Sequence, residues 1–378
     1  PKIALMRYEY LDALRKTKAA DAPQADEVRV LMPLYTEEIY FIVRRDSPLT
    51  FIHEIAKARM NVGPHASARQ LTVGDDFARM DTALIDATVA ALTERGWRVK
   101  EAANLREMEH RFAGADASRA AGLNAALSDP DTDLILALRG GYGTARLLPL
   151  IDWEAARRSY AVFVGLSDLT AFNLALFTKT GRSSWQGPVA RMFTEANDLR
   201  DERFEQALTS PNFRLETPIS GDAVEAEGTL WGGNLTVLVS LLGTPYFPSV
   251  EGGILFIEDV GEPAWRVERL LLQLLQAGVL TKQKAVLAGS FTGADKTAGT
   301  GDGRFSLTDA FGWIRQAAGI PIVEGLAFGH RPDTLTLPVG VSASVKADGG
   351  RLTLTAQNCP MPASVPWRET PPADLWWH

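Results

Sequence analysis

Between residues 82 and 96, TALIDATVAALTERG, apolar positions recur at helical spacing: Leu84, Ile85, Thr88, Val89 and Leu92 share one face. Gly96 suits the end of that helix. Residues 97–102, WRVKEA, predict a short strand, and 118–130 a second helix stopped at Asp129-Pro130, because a residue before proline is pushed out of the helical region. The run 133–141, DLILALRGG, is apolar without alternation, so it reads as a strand buried on both faces and ending in a glycine turn. Residues 144–151 predict a helix, 160–168 (YAVFVGLSD) another buried strand, and 169–181 (LTAFNLALFTKTG) the helix after it. Buried strands alternating with helices predict an α/β domain with a doubly wound parallel sheet, placed at residues 56–190.

The pattern changes on both sides of this domain. Residues 1–55 read as an appendage, with strand-like runs at 28–32 and 39–45 and a short helix beginning at Pro48. Residues 191–219, polar, charged and punctuated by prolines, read as a linker. Residues 220–365 predict a smaller C-terminal α/β domain with antiparallel strands. Its expected elements include strand 253–259 (GILFIED), amphipathic helix 264–278, strand 284–291, helix 307–319 and strand 321–330. Two alternating strands, 334–347 and 351–356, close it around a Gly349-Gly350 turn. Residues 366–378 form a Pro- and Trp-rich tail, expected to be a flap or a mobile end.

Composition narrows the function classes. The net charge of -7 argues against a broad basic face for nucleic acid. The one cysteine, Cys359, excludes an internal disulfide and a cysteine-rich zinc site, and fits a reducing compartment. No apolar run reaches membrane-spanning length, and the first residues lack a signal-peptide pattern; they also lack an initiator methionine. With no H-E-x-x-H and no C-x-x-C, no metal or cofactor is expected.

Four features carry candidate chemistry. In 160–177 a buried strand ends at Gly165, Ser167 follows two residues later, and a helix begins at once. That is the layout of a nucleophile elbow, which lifts a serine hydroxyl above a sheet beside a helix N-terminus. The alternative is that Ser167 or Asp168 simply caps the helix. Residues 138–147, LRGGYGTARL, expose backbone amides of Gly140 or Gly141 at a sheet edge, or else form a tight turn that needs positive φ. Among His53, His65, His110, His330 and His378, only His330 follows an apolar stretch at a strand end, so it is the best general base, with a structural histidine as the alternative. Strand 253–259 carries Glu258 and Asp259 at its end, either as an acid that orients the imidazole or as loop and capping residues.

Taken in order, RGGYG (139–143), GLSDLTA (165–171), GGNL (232–235), LFIED (255–259) and FGH (328–330) resemble the LD-carboxypeptidase family, which includes microcin C self-immunity proteins. The resemblance runs from Asp75 to Ala356. It implies a cytoplasmic, homodimeric serine peptidase without metal or cofactor, acting on a murein-derived peptide and on neither nucleic acid nor membrane. Carried over by position, Ser167 is the nucleophile, Glu258 the orienting acid and His330 the base. Backbone N–H groups of Gly141 and Asp168 would form the oxyanion hole, and Arg139, Gly140 and Asn234 would meet the substrate. The expected reaction is release of terminal D-alanine from murein tetrapeptide; the alternative within the family is amide cleavage in a peptide–nucleotide antibiotic.

Two positions depart from the family pattern. Gln186-Gly187-Pro188 stands where the family shows His-Gly-Pro. The family's opening strand and Pro-Ser turn are either supplied by 60–67 (MNVGPHAS) or replaced by the appendage. Competing expectations are an esterase-like serine hydrolase, and a ligand-binding protein in which Ser167 and the glycine turn hold an anion. A short likeness of residues 28–70 to a solute-receptor lobe favours the latter.

Overall fold

The computed structural model describes residues 82–294 and 305–362 with their side chains, and the backbone of four earlier strands: β1 (Ala4–Arg7), β2 (Val28–Pro33), β3 (Ile39–Arg44) and β4 (Arg69–Gly74). The chain divides into two compact units. In the first, β1, β3 and β2 form an antiparallel sheet in that order. The helix expected from Pro48, the 60–67 turn, His53, His65 and the tail with His378 lie outside the described residues.

The second unit spans residues 69–92 and 97–365 and holds two sheets. After β4 come α1 (Thr82–Glu94), β5 (Trp97–Glu101), α2 (Asp116–Ser128), β6 (Leu134–Ala137), α3 (Thr144–Leu147), α4 (Trp153–Arg158), β7 (Val162–Gly165), α5 (Thr170–Thr180) and β8 (Ser184–Gln186). The five strands are parallel, in the order β5-β4-β6-β7-β8. The sheet reverses direction of winding at β4, so the C-terminal ends of β6 and β7 lie beside a topological switch point, where α/β sheets place ligands. Every residue of β6 (LILA) and β7 (VFVG) is buried, which is why neither alternates. Helix α5 is also buried from Thr170 to Leu176, and Phe172 meets Phe163 of β7 at 4.4 Å between ring centroids. Each such side chain contributes about 1.5–3 kcal/mol on burial, so the elbow between β7 and α5 is clamped from both ends.

Among the described residues the first strand of this sheet in chain order is RQLTVG of β4; the MNVGPHAS segment expected to supply the opening strand and turn lies outside them. The 191–219 stretch, expected to be a linker, carries α6 (Asp198–Thr209) and β9 (Phe213–Pro218). The Asn197 side chain caps α6 by accepting the Arg200 N–H at 3.0 Å, and Phe204, Ala207 and Leu208 bury its inner face. The polar surface of that helix is what imitates a linker in the sequence.

The remaining elements are β10 (Ser220–Gly221), β11 (Val224–Asn234), α7 (Leu235–Ser240), β12 (Ile254–Val260), α8 (Ala264–Gln276), β13 (Ala285–Thr292), α9 (Leu307–Ala318), β14 (Ile322–Glu324), β15 (Leu337–Val339), β16 (Val341–Asp348) and β17 (Arg351–Ala356). They build an eight-stranded sheet with β9, in the order β10-β14-β13-β12-β11-β16-β17-β9. Strands β11 to β14 are parallel and β10, β16, β17 and β9 antiparallel, and this sheet has eight strands where the first has six. Two expected strands come out differently. Residues 321–330 are extended only as far as Glu324, because Gly325 turns the chain with φ 85. Residues 334–347 break at Gly340, where φ is 79. Before the break, β15 pairs with β8 of the first sheet (Leu337 opposite Gln186); after it, β16 pairs with β11 of the second. One segment thus joins the two sheets.

Candidate active site

Ser167 stands just beyond β7 with φ 65, in the left-handed region that side chains with a Cβ rarely occupy. A single 3-10 turn, Ser167–Leu169, leads into α5. Leu166 and Leu169 hold the capping positions of these two elements, and neither cap involves a side chain. Ser167 is therefore not a helix cap but the strained corner of an elbow. The Asp168 carboxylate turns away to the glycine loop, where it accepts the Thr144 N–H at 2.8 Å and the Thr144 hydroxyl at 2.7 Å. Burial raises its pKa above the ordinary carboxylate value, and those bonds from Thr144 only partly offset this. Asp168 in this way fixes the glycine loop against the elbow.

The loop runs very close to the nucleophile candidate. A Cβ on Gly140 would stand 2.7 Å from Ser167 Cβ and 3.1 Å from its Oγ, so only glycine fits without displacing the serine. Arg139, before it, donates from Nε to the Gly140 carbonyl at 3.1 Å and remains partly exposed. Gly141 is exposed, with φ 149.

The second sheet brings the other two groups. Glu258 lies inside β12 and is fully buried, so it is neither a loop residue nor a cap. Its neighbour Asp259 meets the first turn of α7, accepting the Thr236 N–H at 2.9 Å and hydroxyl at 2.7 Å. Opposite Glu258, β13 places Gly289 and Ser290 against a single residue of β12, a bulge that re-aims the strand end. The 325–330 loop docks on that bulge through Leu326 N–H to Ala288 O (3.1 Å) and Ser290 N–H to Phe328 O (2.8 Å). Two threonines then hold the histidine backbone. Thr292 donates its hydroxyl to His330 O at 3.1 Å, and Thr334 Oγ1 accepts the Gly329 N–H at 3.0 Å.

The result is a continuous chain of hydrogen bonds. His330 Nδ1 lies 2.7 Å from Glu258 Oε2, and His330 Nε2 lies 3.1 Å from Ser167 Oγ. A carboxylate can only accept, so Nδ1 carries the proton and Nε2 is left to accept from the serine hydroxyl. Burial is the largest influence on His330 and opposes its charged form. The hydrogen bond and charge of Glu258, with the charge of Asp259, outweigh it and raise the pKa, while Arg191 pushes the other way.

Asn234 fills a different place from the substrate contact expected of it. Its Nδ2 donates to Glu258 Oε1 (3.1 Å) and Asp259 Oδ1 (2.9 Å), and its Oδ1 accepts the Val237 N–H (3.1 Å). With its side chain fully engaged and the residue buried, it holds the acids. Its own N–H donates to Thr170 Oγ1 at 2.9 Å, and Gln186 Nε2 donates to the same oxygen at 2.9 Å. Thr170, in the first turn after the elbow, thus ties the two sheets together behind the site. Gln186, at the family's histidine position, stands behind Thr170 rather than in the Ser167–His330–Glu258 chain. The sequence expectations pass over Thr170, Thr292, Thr334 and Arg191; a threonine that braces a backbone leaves no spacing signal. His110 occupies an exposed turn.

Comparison with known proteins shows the family. The family model of the LD-carboxypeptidase N-terminal domain matches residues 75–187, and that of the C-terminal domain matches 227–345. A putative carboxypeptidase of Streptomyces coelicolor is 40% identical over 252 residues, covering 64% of this chain and 78% of that protein. A probable murein peptide carboxypeptidase of Bacillus subtilis is 30% identical over 300 residues, covering 76% of this chain and 92% of that protein. The crystal structure of muramoyltetrapeptide carboxypeptidase from Oxalobacter formigenes superposes with a TM-score of 0.70 at 35% identity, covering 77% of this chain and all of that one. The chain belongs to the LD-carboxypeptidase family.

Proposed function

We propose that this protein is a serine carboxypeptidase that cleaves the amide bond between an L-centre and a terminal D-residue, releasing D-alanine from murein tetrapeptide. The observation that carries the reading is the Ser167–His330–Glu258 hydrogen-bond chain, closed across two sheets. A ligand-binding protein has no use for a buried acid aimed at an imidazole that is itself aimed at a strained serine. The relatives named for murein peptides favour that substrate, and the single cysteine suits the cytoplasm.

In this mechanism His330 Nε2 takes the Ser167 proton as Oγ attacks the scissile carbonyl. Backbone N–H groups of Asp168 and Gly141 face the oxyanion, and the N-terminal end of α5 adds a favourable dipole. Gly140 gives the acyl group room beside Oγ, and Arg139 braces the loop that carries the Gly141 donor. Collapse of the tetrahedral intermediate breaks the C–N bond, and His330 returns the proton to the leaving amine. Water, activated by the same imidazole, then hydrolyses the ester. Glu258, held by Asn234, keeps the imidazole in the required tautomer and stabilises its charged form.

The test is to offer L-Ala-D-Glu-meso-diaminopimelate-D-Ala, its all-L counterpart and a simple ester. Selective release of D-alanine supports the reading; preference for the ester, or turnover of none, sinks it. The pH dependence has a definite sign. His330 must be neutral to act as a base, and its raised pKa places the acidic limb of kcat/KM above the ordinary imidazole value of 6.5. For stability the same shift favours protonated His330: its contribution is full below the unfolded pKa and is lost as pH rises through the folded value.

Gly329 provides a structural check on the triad. Its φ is 120, and a Cβ there would stand 2.8 Å from Glu258 Oε2. Gly329→Ala should lower kcat by about 10²-fold, the usual result of a displacement near 1 Å at a reacting group, and destabilise the fold by about 1–3 kcal/mol of backbone strain. Steady-state kinetics with a thermal melt measures both; an unaffected kcat would mean that Glu258 need not sit where it does.

A further inference from the structure

A carboxypeptidase must recognise a free terminal carboxylate, and two of the residues expected to meet the substrate already make bonds within the protein. Asn234 holds Glu258 and Asp259, and Arg139 is turned onto the Gly140 carbonyl. Of the other arginines near this edge, Arg331 pairs with Asp333 at 2.6 and 2.9 Å, and Arg203 donates to the Asp333 carbonyl at 3.3 Å.

Arg191 is different. It lies in the 3-10 helix Ala190–Thr194 that follows β8, with buried Ala190 and Phe193 anchoring the segment. Its backbone is pinned on both sides: the N–H donates to Leu138 O at 3.0 Å, and the carbonyl accepts the Thr194 hydroxyl at 2.8 Å. Leu138 immediately precedes the Arg139-Gly140 turn that presses on Ser167, so the Arg191 side chain starts from the same sheet edge as the nucleophile. It is exposed, and among the described residues its guanidinium has no carboxylate partner. Its charge nonetheless reaches His330, whose protonation it opposes.

We infer that Arg191 binds the terminal carboxylate of the peptide and thereby restricts the site to the last residue of its substrate. The inference rests on the peptidase reading above. In the leaving D-residue the carboxylate carbon is only about 3–4 Å from the scissile carbonyl carbon. The group that protonates the leaving nitrogen and the group that holds the carboxylate must therefore be neighbours. Arg191, bonded through its backbone to the residue that precedes the glycine turn against Ser167, is placed on the side of the site where such a neighbour of His330 is needed. Arginine suits the task because its planar fork matches a carboxylate with two parallel hydrogen bonds.

The experiment compares the tetrapeptide bearing a free D-alanine carboxylate with the same peptide ending in D-alaninamide, on wild type, Arg191→Gln, Arg191→Lys and Arg139→Gln. Wild type is expected to prefer the acid, and Arg191→Gln to reduce the acid-over-amide ratio of kcat/KM by about 30-fold, the scale of one charge-assisted contact. That loss should fall mainly on KM, with partial recovery in Arg191→Lys. Arg191→Gln should also move the acidic limb of kcat/KM upward, because a charge opposing His330 protonation is gone; a purely structural role would leave that limb in place. An undiminished acid preference in Arg191→Gln, or its collapse in Arg139→Gln alone, would overturn the assignment while leaving the peptidase intact. Wild type cleaving neither peptide would overturn the peptidase reading and the inference with it.

Discussion

Replacing Ser167 by alanine should eliminate D-alanine release, lowering kcat by at least about 10⁴-fold, the usual result of deleting a serine nucleophile. The loss should come without a loss of fold. Among the described residues Ser167 Oγ has one side-chain partner, His330 Nε2, and alanine leaves no donor of theirs stranded behind it. The backbone supplies a second, sharper expectation. At φ 65 any residue with a Cβ is strained, by roughly 1–2 kcal/mol. Glycine removes that strain, at an entropic penalty in the unfolded chain of about 0.5–1 kcal/mol. Ser167→Gly should therefore melt no lower than wild type while being as inactive as Ser167→Ala. A stable, dead Ser167→Gly would show that the strained corner is retained for the hydroxyl it aims. Undiminished release by either variant would remove Ser167 from the mechanism.

The parts of this fold that could be read from sequence are those whose burial is uniform. LILA and VFVG have no polar residue to hide, and α1 announces its inner face through Ile85, Thr88 and Leu92. Elements stabilised by long-range pairing were less visible. RQLTVG alternates too weakly to stand out, yet it sits between β5 and β6 in the first sheet. Helix α6 and strand β9 were hidden by their charged outer faces. The break at Gly340 is invisible because both halves of 334–347 favour extended chain, and only the competition between two sheets decides where each half pairs.

The site divides in the same manner. Ser167, Glu258 and His330 could each be proposed from an expected strand end, although His330 is presented by the loop after β14 and Glu258 from inside β12, and the ordered motifs linked them. What could not be read is the support around them: Asn234 turned inward onto two acids, Asp168 turned outward onto the glycine loop, and Thr170 between the sheets. These roles depend on which way a side chain points after two sheets have met. For the same reason Arg191 drew no attention while its segment read as a linker.

Glu258→Gln isolates the work of the buried acid with almost no change of shape, and should lower kcat by about 10⁴-fold. Glu258 accepts from both sides: Asn234 Nδ2 on Oε1, His330 Nδ1 on Oε2. An amide can accept on only one side. If its NH2 faced Asn234, two donors would confront each other in a fully buried place, a cost of about 1–3 kcal/mol for each group left unsatisfied. The amide therefore turns its oxygen to Asn234 and its NH2 to His330. Nδ1 must then become the acceptor, the proton moves to Nε2, and the atom facing Ser167 can no longer take a proton. Loss of the negative charge also lets the His330 pKa fall, so the acidic limb of any residual activity should move to lower pH. The two effects separate experimentally. Raising the pH well above the limb cancels a pKa effect but cannot repair a wrong tautomer, so the 10⁴-fold deficit should persist there. Recovery of Glu258→Gln to within tenfold of wild type at high pH would mean that Glu258 only tunes the His330 pKa, and the orientation argument would fail.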